Sequence, residues 1–154
     1  MNILSNKIGT DQANQLIAIL ASKPNLTTLC GFSGDETELD LSDKDLGAGC
    51  GVLVANEVKN NEALVKLDIS QNDMFADRVP GVGIKMNQVA TDAIINAVAA
   101  NTVLSTLNIS DTLLCGCPSC TRDPAWGEDY STATLEKLCN MLKHNNVSAL
   151  WCNW

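Results

Sequence analysis

Seven cysteines in 154 residues carry the densest reactive chemistry of the chain: Cys30, Cys50, Cys115, Cys117, Cys120, Cys139 and Cys152. Three of them fall in Cys115-Gly-Cys117-Pro-Ser-Cys120. Thiolates at this spacing could hold a zinc ion, with Cys139 or His144 completing a tetrahedron. Structural zinc sites usually draw on two separated ligand pairs, and this loop lacks the second, so no metal or other cofactor is expected. Cys117 and Cys120 could also exchange between thiol and disulfide. The plain reading, and the favoured one, is a cysteine-rich surface loop with neither role. An odd count rules out complete intramolecular pairing. Several cysteines occupy positions where apolar residues are expected, which points to free buried thiols in a cytoplasmic or other reducing compartment.

Other candidate chemistry is weaker. Gly47-Ala-Gly49-Cys-Gly51 opens a helical stretch, as phosphate-cradling loops do, but position 52 is Val and no Lys-Ser/Thr follows. His144 is the single histidine and lies near a helix end, where a cation is ordinary. Asp35, Glu36, Glu38 and Asp40 could attract calcium, although solvated carboxylates on a loop are commoner. No catalytic residue is expected, and the chain reads as a non-enzyme.

A formal net charge of −8 repels phosphate backbones and anionic membrane surfaces, so no nucleic acid and no membrane partner is expected. No stretch approaches the length of about 20 apolar residues that spans a bilayer. The first residues also lack an apolar run long enough for a secretory signal. Aromatics are only 4% of the chain, so aliphatic side chains must build the core.

The elements that must position these residues recur. Leu26–Gly31, Leu64–Ile69, Leu104–Ile109 and Val147–Cys152 align as L-x-x-L-x-L, with Gly31 and Cys152 the weak matches. In a strand, successive side chains alternate between faces. Leu67 and Ile69 therefore oppose Lys66 and Asp68, as Leu107 and Ile109 oppose Thr106 and Asn108. Helical spacing precedes each segment: Ala13, Leu16, Ile17 and Leu20; Val54 and Val58; Ala90, Ala93, Ile94 and Val98; Leu135, Leu138, Cys139 and Leu142. Asparagines at 60–61, 101 and 145–146 would close these helices in a left-handed conformation. The strand steps are 38, 40 and 43 residues, stretched by enlarged loops at Met74–Met86 and Cys115–Tyr130. Leu39-Asp40-Leu41-Ser42 also matches Leu67-Asp68-Ile69-Ser70. Leu26–Cys30 is preferred as the strand because the longer step then recurs.

Leu64-Val-Lys-Leu-Asp-Ile-Ser-Gln-Asn72 resembles the leucine-rich-repeat strand motif L-x-x-L-x-L-x-x-N. Leu46-Gly47 and Asn6-Lys7-Ile8-Gly9, each followed by a helix, resemble the ribonuclease-inhibitor-like subclass. The Leu29–Ser42 stretch is similar to one that recurs in repeat proteins of unicellular algae and other protists. The resemblance implies an α/β, right-handed leucine-rich-repeat solenoid, a horseshoe with a concave parallel β-sheet and convex helices. It also implies a single domain of about four units over residues 1–154. The first residues read as a severed strand and Trp154 stops inside or just after another. Open sheet edges invite pairing, so a fragment of a longer array is expected, with ends covered by a partner as the alternative. Its asparagine would bond the turning backbone of neighbouring coils. Asn72 and Asn6 fit that role, whereas Lys44 and Thr112 do not, which puts the regularity of those turns in doubt.

The expected function is a non-catalytic protein–protein interaction module. Its partner-binding residues would be Lys66, Asp68, Thr106, Asn108, Ser148 and Trp151, in adjacent ladders on the polar strand face. Trp151 is the strongest single candidate, because exposed tryptophans are enriched at binding hot spots. Burial of Trp151 under a following repeat is the plain alternative. A structural subunit of a larger assembly, joined through its ends and loops, is the alternative function.

Overall fold

The computed structural model describes residues 1–81, 83–112, 114 and 132–151. Two layers form around one aliphatic core. Four helices occupy one layer: α1 (Thr10–Ser22), α2 (Ala48–Val58), α3 (Gln88–Ala100) and α4 (Thr132–His144). Four short strands form the other: β1 (Glu38–Asp40), β2 (Lys66–Asp68), β5 (Thr106–Asn108) and β6 (Ala149–Trp151), all parallel, in the order β1-β2-β5-β6. A separate antiparallel hairpin joins β3 (Ala76–Val79) to β4 (Gly83–Met86).

The right-handed leucine-rich-repeat horseshoe is not what forms. A solenoid needs one repeating unit, and the units here differ. The strands begin at Glu38, Lys66, Thr106 and Ala149, which gives unequal steps of 28, 40 and 43 residues. The stretch expected as a long surface loop at Met74–Met86 contains the antiparallel hairpin, a second sheet outside the parallel one. The observed architecture is a mixed α/β fold with a small parallel sheet.

The preferred first strand is also corrected. Leu26–Cys30 is not a strand, and Leu39 supplies the sheet's first row. The reason is local. The Leu29 and Cys30 amides donate to the Glu57 carboxylate at 2.6 and 2.8 Å, so they do not join a parallel ladder. Cys30 instead bridges Asn2 in the antiparallel sense, and Ile3 N donates to Leu29 O at 2.9 Å.

Helix α2 explains the layering. A helix apolar on every side must be surrounded, and α2 packs between α1 and α3. It buries Ala48 through Ala55 and Val58. Its glycines are packing devices. A Cβ on Gly49 would fall on the Ile8 carbonyl, and one on Gly51 would lie 2.9 Å from Met74 O. Val54, Ala55 and Val58 of α2, with Ile94, Ala97 and Val98 of α3, meet Leu67 and Ile69 beneath the sheet. Leu67 and Leu107 are buried, and Leu39 and Leu150 pack against the same core.

Two seams of polar groups tie the layers together. At the helix-to-strand turns, Asn101 Nδ2 donates to Val58 O and Asn61 O, both at 2.9 Å, while its Oδ1 accepts from Val103 N and Leu104 N at 3.0 and 2.8 Å. Asn61 Oδ1 likewise accepts from Ala63 N and Leu64 N, and Asn145 Oδ1 accepts from Val147 N. Asn101 itself is extended, with φ −77° and ψ 116°. The expected left-handed closure is therefore absent there, and the asparagine acts through its side chain.

At the strand-to-helix turns, Asn72 Nδ2 donates to the carbonyls of Leu41, Ile69 and Ser70, and its Oδ1 accepts from Lys44 N and Leu46 N. Asn6 reaches Ile3 O, Thr112 reaches Ile109 O, and Lys44 Nζ reaches Asp40 O. All four turns keep a positive φ, at Ser5, Asp43, Gln71 and Asp111. The Thr112 turn thus keeps a positive φ without an asparagine of its own, while the Lys44 turn is held by Asn72 reaching across from the neighbouring turn.

Candidate functional site

The outer face of the parallel sheet gathers most of the residues singled out in the sequence. Its leucines turn toward the helices, so the flanking residues of each strand turn away. Register fixes two rows across the strands. One is Glu38–Lys66–Thr106–Ala149 and the other is Asp40–Asp68–Asn108–Trp151. Lys66, Asp68, Thr106, Asn108 and Trp151 therefore share one face. Ser148 does not belong to either row. It precedes β6 and donates from its backbone N to Ser105 O at 2.9 Å, so Ala149 stands where Ser148 was expected. Glu38 and Asp40 belong to the face, and the preference for Leu26–Cys30 hid them. The match of Leu39–Ser42 to Leu67–Ser70 was the signal that could have found them.

Each row has its own electrostatics. Lys66 Nζ lies 3.5 Å from Glu38 Oε2, with both side chains largely in solvent, so the pair contributes little to stability. The second row is more strongly built. Asp40 Oδ1 accepts from Ser42 N at 3.0 Å and Ser42 Oγ at 2.6 Å. Asp68 Oδ1 repeats both bonds with Ser70, at 3.0 and 2.6 Å. Asn108 Oδ1 accepts from Ser110 N at 3.1 Å, and its Nδ2 donates to Asp68 Oδ2 at 2.8 Å. Hydrogen bonds from the Ser42 hydroxyl and amide hold the Asp40 carboxyl below its ordinary range, with Lys44 and Lys66 adding to the effect. Trp151 ends this row and is 63% exposed, the most exposed large apolar side chain among the described residues.

The remaining candidates do not converge. Asp35 and Glu36 bond within their own turn, where Glu36 accepts from the amides of Ser33 and Gly34. Slight burial raises the Glu36 pKa, and those hydrogen bonds outweigh it to leave the pKa low. Glu38 and Asp40 are engaged on the sheet face, so the acidic run forms no cation cage. Among the described residues, no group of three or more His, Cys, Asp or Glu is placed to hold a metal ion. The Cys115–Cys120 loop and Cys152 lie outside the described residues, as does the side chain of His144.

Cys30 and Cys50 are buried free thiols, while Cys139, expected on an apolar helix face, is exposed. Burial, then the neighbouring Glu57 carboxylate, pushes the Cys30 thiol far up, and burial raises Cys50. Neither is disposed to react as a thiolate. Glu57 was missed in the sequence. Besides the Leu29 and Cys30 amides, it accepts from Thr28 Oγ1 at 2.7 Å and pins the 26–34 loop to α2. A cavity of about 200 Å³ lies beside it, lined among others by Leu20, Phe32, Leu39 and Asn60.

No helix among the described residues is long and apolar enough to cross a membrane. No protein-family model matches the chain, and no curated protein matches it either. Among solved structures, the chain is similar to one described as Leiomodin-1 Actin-Binding Site 2 (ABS2), with a TM-score of 0.52 and 14% identity, over 100% of this chain and 69% of that one. Identity this low makes the likeness one of fold.

Proposed function

We propose that the chain is a non-catalytic protein-interaction module that receives a protein partner on the exposed face of its parallel sheet. The observation that carries this reading is Trp151. A tryptophan 63% open to solvent, set in register with Asn108 and Asp68, offers the kind of aromatic anchor around which binding energy concentrates. The flanking strands are held from behind by buried leucines and by the asparagine seams. The face is therefore preorganised, which lowers the entropy lost on docking. The structural neighbour adds modest support, since it is described as an actin-binding site and so pairs a similar fold with protein binding.

The test is a triple substitution, Lys66→Ala, Thr106→Ala and Trp151→Ala, none of which touches the turn-capping bonds. Partner affinity, measured by calorimetry on the isolated complex, is expected to fall at least tenfold, while the urea midpoint stays within error. Unchanged affinity would remove the sheet face as the docking surface.

A further inference from the structure

The chemistry of the partner can be read from a surplus of charge. Three of the four strands, β1, β2 and β5, are followed by a turn whose amide is capped by the side chain two residues before it. Asp40 caps Ser42 N, Asp68 caps Ser70 N, and Asn108 caps Ser110 N, at 3.0, 3.0 and 3.1 Å. Asn2 does the same for Leu4 N at 3.0 Å. A neutral amide oxygen therefore suffices for this bond, and the turn itself does not require a carboxylate. Yet the β1 and β2 turns use aspartate, so this row carries two carboxylates on an open face, with Lys66 paired to Glu38 in the other row and Lys44 and Lys66 favouring the charged form of Asp40. The same row passes from these carboxylates, through Asn108, to Trp151. One end offers negative charge and the other an exposed indole.

We propose that this row binds a basic, arginine-bearing segment of a protein partner, which lies across the strands with guanidinium groups at Asp40 and Asp68 and an apolar or cationic side chain against Trp151. This rests on the sheet-face reading above and names its ligand. A guanidinium suits both ends, since it forks onto carboxylates and stacks on indole faces. Adjacent strands lie roughly 4.8 Å apart, so Asp40 and Trp151 are about 14 Å apart along the row. A helical segment covers that span in about ten residues, at about 1.5 Å each. The net charge of −8 favours encounter with such a segment over an acidic one.

Two variants separate charge from structure. Asp40→Asn keeps the cap and removes one carboxylate. The double variant Asp68→Asn with Asn108→Asp exchanges the two groups. It keeps the side-chain hydrogen bond between them and both caps, at constant net charge, while moving the carboxylate one strand toward Trp151. Asp11→Asn on α1 is the charge-matched control away from the face. Displayed random peptides roughly twelve residues long, matched to the span above, are selected on the whole chain, and the winners are measured by fluorescence anisotropy.

The expected winners are enriched in arginine. They bind about fivefold more weakly to Asp40→Asn and to the exchanged pair, and more weakly still to Trp151→Ala, but equally to Asp11→Asn. Winners without basic enrichment, winners indifferent to Asp40→Asn, or an empty selection would overturn the inference. If neutral winners are lost on Trp151→Ala, only the partner chemistry fails and the docking face stands. If Trp151→Ala also leaves them bound, both fail.

Discussion

The interior seam at Asn101 and the exposed row at Asn108 use the same side chain for opposite ends. Asn101 is 3% exposed and spends all its hydrogen-bonding capacity on four backbone groups from two adjacent helix-to-strand turns. Asn108 caps one amide and one neighbouring carboxylate while half-exposed on the sheet face. The first holds the fold, because any group it abandoned would be left dry and unpaired. The second can be changed at lower cost, because water can replace what it gives to the partly exposed Asp68 carboxylate. The lesson is that burial, rather than residue type, separates the residues that build this molecule from those available to a partner.

Gly49→Ala should break that contrast most severely. The new methyl group would collide with the Ile8 backbone, which cannot move without parting α1 from α2. A loss of about 3 kcal/mol or more is expected from such overpacking, read as a fall in urea midpoint. Asn101→Ala strands Val58 O, Asn61 O and two amides, and should cost about 3 kcal/mol by the same measurement. Asn108→Ala should cost less, roughly 1 kcal/mol, since Asn108 and Asp68 are only partly buried, although the Ser110 amide it caps belongs to a buried residue.

Glu57→Gln lies between the seam and the surface. It retains an oxygen for the Leu29 and Cys30 amides but loses the charge that strengthens both bonds, so about 1 kcal/mol is expected. Proteolysis should then cut first within residues 26–34. An unchanged digestion pattern would show that Glu57 is not what pins that loop.

The smallest effect is on pH dependence. Asp40 and Glu36 titrate below their ordinary values, so protons bind them more readily in the unfolded chain. Their contribution is complete above their ordinary range and is lost as pH falls through the folded-state values. Stability should therefore decline from roughly pH 5 downward, and Asp40→Asn should make that decline slightly shallower. A stability curve identical for the wild type and Asp40→Asn would show that the Ser42 cap does not distinguish the two states.

Much of the skeleton was legible because periodicity records burial. Ala90, Ile94 and Val98 share one helix face, and Leu67 and Leu107 point inward, because each satisfies a local pattern that the core then uses. The first strand was not legible, since Leu26–Cys30 and Leu39–Ser42 both fit the alternation. The choice between them was made by Glu57, 27 to 29 residues farther along the chain from its partners. The hairpin was hidden for a similar reason. Pro80 and the glycines around it signal a turn, whereas the pairing of Ala76 with Met86 is a property of two segments together. The horseshoe expectation failed there, by extending one well-matched motif, Leu64–Asn72, to units that differ from it. On the sheet face, the alternation marked Asp68 and Asn108 correctly as outward residues, but Ser148 was placed one residue out of register.

The central claim is that Trp151 stands open on the sheet face and becomes covered when a partner docks. Hydroxyl-radical footprinting of the whole chain, free and bound to a selected peptide, measures this residue by residue. Strong oxidation of Trp151 in the free chain, with marked protection in the complex, is the predicted result. Protection already present in the free chain, or oxidation unchanged by binding, would contradict it.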